Sequence, residues 1–112
     1  MATRTTSAGL PPRVLRATAG MLRALGHPAR LRIVELLMGR AMTVGELEGA
    51  MKMAQHKVSR HLRELRAARV VAGEREGRRV RYRLVSADAA GVVEVVRRHH
   101  YRATTVRDGE AI

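Results

Sequence analysis

Cysteine, phenylalanine and tryptophan are absent from this 112-residue chain, and Tyr82 and Tyr101 are its only tyrosines. The absence of thiols excludes disulfides, thiolate metal sites and thiol redox sensing together. Without large aromatics, the core must be Leu, Val, Ile, Met and Ala, which suits packed helices. Acidic residues are scarce, 10 against 22 Lys and Arg. No apolar run approaches the ~18 residues of a membrane span. The start, with Arg4 and a short polar stretch before Pro11 and Pro12, lacks a signal-peptide pattern. The expectation is a cytoplasmic protein with no membrane partner.

What is present is positive charge on a single-domain length. The formal net charge is +12 and the pI about 11.7. Such an imbalance repels itself in a compact state and is relieved by a polyanion, so nucleic acid is the expected partner. Lys52 and Lys57 are the only lysines, and the other basic residues are Arg. A domain this small buries a limited share of its surface, so an interface between subunits would help it.

Along the chain, residues 1–12 are Thr, Ser, Ala and Gly ending in a double Pro, and read as a flexible arm. Residues 13–103 form one folded unit, and 104–112 read as a flexible tail. A first helix carries Val14, Ala17, Thr18, Met21, Leu22 and Leu25 at helical spacing and breaks at Gly26. Pro28 suits the first turn of a second helix, which carries Leu31, Ile33, Val34, Leu36 and Leu37. Thr43 and Glu46 form a capping-box pattern at the start of a short third helix with Val44, Leu47 and Met51. A fourth helix, about Ala54 to Ala68, has the stripe Ala54, Val58, Leu62 and Leu65, with His61 on its edge. Two helices joined by so short a turn form a helix-turn-helix.

The period then changes. Val80, Tyr82 and Leu84 alternate with Arg79, Arg81 and Arg83, giving a strand with one apolar and one basic face. Val70 and Val71 begin its partner, and Gly77 marks the hairpin tip. A last helix starts at Ser86 and carries Ala89, Val92, Val93, Val96 and His100. The predicted fold is mainly α with a two-stranded β-wing, a winged helix-turn-helix of order α-α-α-α-β-β-α.

Opposite its apolar stripe, the fourth helix presents His56, Ser59, Arg60 and Arg63, flanked by Gln55 and Lys57. A recognition helix needs one side anchored in the core and donors offered from its N-terminal half to base edges. Arg pairs bidentately with guanine and Gln with adenine in the major groove. In the wing, Arg75, Arg78, Arg79, Arg81 and Arg83 crowd one hairpin, where like charges repel unless an anion lies against them. A duplex backbone supplies that anion. The candidate DNA-contacting residues are Thr43, Gln55, His56, Lys57, Ser59, Arg60, Arg63, Arg78, Arg79 and Arg81.

These segments resemble a known family, the arsenical-repressor-like (ArsR/SmtB) metalloregulators and their non-metal relatives. The resemblance runs from Leu25-Gly26-His27-Pro28-Ala29-Arg30-Leu31-Arg32-Ile33 through Thr43-Val44-Gly45-Glu46-Leu47. It continues in Gln55-His56-Lys57-Val58-Ser59-Arg60-His61-Leu62-Arg63-Glu64-Leu65 and ends in the wing, Gly77 to Leu84. It implies a transcriptional repressor, binding a palindromic operator as a homodimer built on the first and last helices and released by an inducer. Val14, Met21, Leu22, Val92, Val93, Val96 and His100 are the candidate interface residues. Arg69 departs from the pattern, because relatives usually carry Gly before the wing, where the backbone is often left-handed.

Some relatives bind zinc on the last helix through an Asp, two His and a Glu. Here Asp88, His99 and His100 are the only remnants, with Ala90 and Thr104 at the other expected positions. The cysteine motif of soft-metal sensors is missing too. No metal site and no cofactor are therefore expected, and Met38, Met42, Met51 and Met53 read as packing residues. Control would come from an organic effector or a protein partner at the terminal helices. An enzyme is not expected, since the carboxylates fall on helix surfaces and turns. Two alternatives stay open, a basic RNA-binding protein and a protein-interaction module or antitoxin that also binds DNA. The first would need exposed aromatics for stacking on unpaired bases.

Overall fold

The structure, a computed structural model, describes residues 9–111, with side chains described for residues 9–103. Most of the expected N-terminal arm, residues 1–8, lies outside the described residues, as do the side chains of the expected tail from residue 104.

Helix α1 (Pro12–Leu25) opens on a proline, whose missing N–H costs nothing in a first turn. It stops at Gly26, whose N–H donates to Arg23 O. Helix α2 (Pro28–Gly39) is capped by His27, whose Nδ1 accepts from the Ala29 N–H at 3.0 Å. Strand β1 (Met42–Thr43) leads into α3 (Val44–Met51), and α4 (Gln55–Ala67) follows after a tight turn. Strands β2 (Val71–Glu76) and β3 (Arg79–Leu84) form the hairpin, and α5 (Ala87–Ala111) ends the chain. The last helix thus continues past residue 103, where its apolar spacing had faded.

The wing has one strand more than expected. The sheet order is β1-β3-β2, all antiparallel, with Met42 opposite Tyr82 and Thr43 opposite Arg81. Two residues are too short to show a period, and the capping-box pattern places Thr43 at a helix start rather than in a strand. The consequence is mechanical, because β1 ties the wing directly to the start of α3.

Both helices of the helix-turn-helix close on non-glycine residues in the left-handed region. Lys52 (φ 53°) ends α3, with Met53 N–H donating to Glu48 O. Arg69 (φ 60°) follows α4, with its own N–H donating to Arg66 O and Val70 N–H to Leu65 O. That pair of reversed bonds is a Schellman closure. The backbone bend expected from a glycine is therefore present, carried by Arg69.

The core is aliphatic. Ile33, Val34, Leu47, Val58, Leu62, Leu65 and Val70 are fully buried, joined by Leu25, Leu37, Met42, Val71, Ala89 and Val93. Each large side chain here stabilises the fold by about 1.5–3 kcal/mol relative to exposure. Val58, Leu62 and Leu65 are the stripe by which α4 is anchored; Ala54, assigned to that stripe, is instead its exposed N-cap. Among the described residues no helix is long and apolar enough to cross a membrane.

Candidate nucleic-acid interface

With its apolar stripe fixed in the core, α4 turns Gln55, His56, Lys57, Arg60 and Arg63 to solvent, and Ser59 is half-buried beside them. Ala54 gives no side-chain cap and the first turn holds no acid. Lys57 even places a positive charge there, against the helix dipole. A helix start left bare in this way, with free N–H groups and a cation, is suited to a phosphate.

The N-terminus of α3 is the opposite case. Thr43 Oγ1 accepts from Glu46 N–H at 3.2 Å, and Glu46 Oε1 accepts from Thr43 N–H at 2.8 Å, completing the capping box. Thr43 is buried, only 5% exposed, and lines a groove with Gln55, Arg78 and Arg79. Its hydroxyl is committed to the helix start and its backbone to β1.

Glu46 also gathers charge from the wing side. It accepts from Arg40 at 3.0 Å and from Arg81 at 3.3 Å. The Thr43 backbone bond, followed by Arg40, lowers its pKa to about 2. Arg81 in turn donates through Nε to Glu76 at 3.0 and 3.1 Å, and Glu76 chiefly holds it in the charged form. Arg83 lies 3.5 Å from Glu74. The basic face of the hairpin is therefore not left without anions, as its charge alternation had implied. Arg81 is a strut between wing and helix-turn-helix rather than an outward charge. The signal was available in Glu74 and Glu76, which the register sets opposite Arg81 and Arg79.

What remains is sharply placed. Lys57, Arg60, Arg63, Arg75, Arg78 and Arg79 are exposed, and none takes part in an ion pair among the described residues. Gln55, Arg78 and Arg79 line one groove of about 580 Å³ with Val44 and Gly45 at the start of α3. The first turn of α4 and the tip of the wing thus flank a single cleft.

The candidate interface residues do not share one environment. Val93 is 7% exposed and belongs to the chain's own core, while Met21 and Val92 pack against that core and Val14 is half-buried. Leu22 (48%) and Val96 (63%) point outward, and His100 is exposed. Helical spacing alone could not separate residues facing this core from those facing away. It also missed Leu15 and Val95, which are 53% and 63% exposed. As for metal, Asp88 and His99 lie eleven residues apart on α5, about 16 Å along the axis. Within one chain they do not converge, and no group of three potential ligands exists among the described residues. The zinc-binding relatives share the site between subunits, and here Ala90 and Thr104 stand at two of its expected positions, leaving the ligand set incomplete.

A helix-turn-helix whose second helix is anchored on one side and basic on the other, flanked by a basic hairpin, defines a winged helix-turn-helix domain. The profile of the family described as bacterial regulatory protein, arsR family, matches residues 27–72. The HTH-type transcriptional repressor SmtB of Mycobacterium tuberculosis is 46% identical over 84 residues, covering 74% of this chain. The chain spans 62% of the length of that relative. A biofilm growth-associated repressor of Agrobacterium fabrum is 38% identical over 89 residues, 78% of this chain and 76% of its own. The solution structure of a homodimeric winged helix-turn-helix DNA-binding domain from Mycobacterium bovis, a possible ArsR-family regulator, matches with a TM-score of 0.73. It is 28% identical, over 87% of this chain and 93% of that one. The chain belongs to the arsR family of bacterial regulatory proteins.

Proposed function

We propose that this chain is a sequence-specific, double-stranded-DNA-binding transcriptional repressor. It binds a palindromic operator as a homodimer and controls its own or neighbouring genes. The observation that carries this reading is the cleft where the bare start of α4 and the tip of the wing meet. Among the described residues the exposed Arg78 and Arg79 make no ion pair, although Glu46 and Glu48 also line the cleft, while every acid on the hairpin is spent on Arg81 or Arg83. Lys57, Arg78 and Arg79 suit phosphates; Gln55, Arg60 and Arg63 suit base edges.

The exposed apolar residues Leu15 and Leu22 of α1 and Val95 and Val96 of α5 support a dimer built on the terminal helices. RNA is less well served. Tyr82 is packed within the wing, leaving Tyr101 on α5 as the exposed tyrosine among the described residues. An organic effector or a protein partner at the terminal helices, rather than a transition metal, would release the operator.

Selection of duplexes from a random pool by the intact chain tests the reading. The expected result is an enriched inverted repeat, bound far more tightly than random duplex and with steep salt dependence. Equal affinity for every duplex, or preference for single-stranded RNA, overturns it.

A further inference from the structure

His27 and His61 bring their rings to 4.4 Å between centroids, tilted by 49°. The contact joins the start of α2 to the helix that carries the base-reading side chains. His27 is not free to move, because its Nδ1 caps α2 through the Ala29 N–H. As an acceptor, that nitrogen leaves any ring proton on Nε2. His61 sits half-buried between the anchored stripe of α4 and its outward Arg60. Arg30 spans the same two helices, lying 4.0 Å from Glu64 with its side chain only 17% exposed. Ring contact and ion pair together form a two-point clamp on α4.

We propose that His27 and His61 are a positioning pair that seats α4 while His61 is neutral, so that acid loosens the seat and lowers discrimination between DNA sequences. The inference rests on the DNA-binding reading. The groups that face His61 are His27 and Arg30 from the start of α2 and Arg60 on its own helix. All three are cationic when charged. Glu64, the carboxylate one turn on, is directed to Arg30. A proton on His61 therefore enters a partly desolvated place already surrounded by positive charge. Burial first, then the charges of His27, Arg30 and Arg60, hold His61 below its ordinary value of 6.5. The unfolded chain takes the proton at the ordinary value and the folded chain only at lower pH. The stability this histidine contributes is thus complete above pH 6.5 and is lost as pH falls through the folded value.

The test follows the imidazole resonances of the intact chain by NMR from pH 8 to 5, together with its thermal unfolding. In parallel, binding is compared between the duplex selected by the chain and a random duplex. His61 is expected to titrate below 6.5, and the ratio of the two affinities to fall as pH is lowered through that titration. His56→Gln, measured alongside, shows how much of any change in that ratio comes from the imidazole at the DNA face. His61→Gln should flatten the pH profile. His27→Asn keeps a capping oxygen but removes the ring, and should lower the ratio already at neutral pH and move the His61 titration upward. Titration of His61 at or above its ordinary value overturns the proposal, as does an unchanged profile in His61→Gln. Should that variant not fold, His27→Asn and the NMR titration decide. Failure to bind any duplex would sink the DNA-binding reading, while the His61 titration and the pH dependence of unfolding still decide the pair.

Discussion

Gly73 lies directly across the hairpin from Tyr82, and the tyrosine ring occupies the space a side chain at Gly73 would need. A Cβ placed there would come 2.9 Å from Val80 Cγ1 and 3.0 Å from Tyr82 Cε1. The glycine thus lets the ring lie over the sheet, and the ring holds the wing against the core cluster. Gly73→Ala should cost about 1–3 kcal/mol through overpacking. Denaturant unfolding measures it, and tyrosine near-ultraviolet dichroism should report the displaced ring. Unchanged stability with an unchanged spectrum would show that the hairpin yields freely.

Arg69 and Lys52 hold left-handed backbone at φ 60° and 53°. For an L-residue that conformation costs roughly 1–2 kcal/mol, partly offset on replacement by the greater freedom of unfolded glycine. Arg69→Gly and Lys52→Gly should each raise stability by about 0.5–1 kcal/mol. The denaturant midpoint should rise with its slope unchanged. A fall in midpoint would mean that these side chains contribute more than their backbones cost.

Glu46 ties the start of α3 to Arg40 and Arg81, and its pKa lies at about 2 instead of 4.5. A depressed carboxylate stabilises the fold above its ordinary value, and that contribution is lost as pH falls through the folded one. Wild-type stability should therefore decline between pH 4.5 and about 2. Glu46→Gln should be less stable at neutral pH and decline less in that window. Parallel acid-unfolding curves would argue against the capping network.

The arginines near the cleft should separate into kinds. Arg60→Ala should cost about 1–3 kcal/mol on the selected duplex and relax preference at one base position. Arg79→Ala should weaken all duplexes alike and reduce the salt slope by about 1. Arg81→Ala, which removes a strut already paired with Glu46 and Glu76, should lower stability and leave the salt slope nearly unchanged. Titrations at several salt concentrations separate the patterns. Identical losses on every duplex for Arg60→Ala and Arg79→Ala would contradict the division.

Light scattering should find a dimer at tens of micromolar, with its two α4 helices about 34–36 Å apart to match successive major grooves. Leu22→Glu combined with Val96→Glu should give monomers that keep their helical content. A wild-type monomer, or a double variant that still dimerises, would move the interface elsewhere.

Periodicity and punctuation in the sequence determined most of the architecture. The stripe Val58, Leu62 and Leu65 marks one face of α4 as buried, and the alternation from Arg79 to Leu84 marks a strand. Pro28, Gly26 and the Thr43–Glu46 box mark helix ends. These are local rules, and a linear chain displays them. Net charge likewise named the kind of partner, because charge sums without regard to folding. Which charges are available is another matter. Glu46 meets Arg81 across 35 residues, and His61 meets His27 across a helix–helix contact. Only tertiary packing brings such groups together. The same holds for Val93 and Val96, three residues apart on one helix, of which the first enters the core and the second faces out. Helical spacing defines a stripe, but the neighbours packed against it decide where the stripe ends. Pairing distance and burial, neither of which is a local quantity, left Arg60, Arg78 and Arg79 exposed, paired Arg81 with Glu46 and Glu76, and buried Thr43.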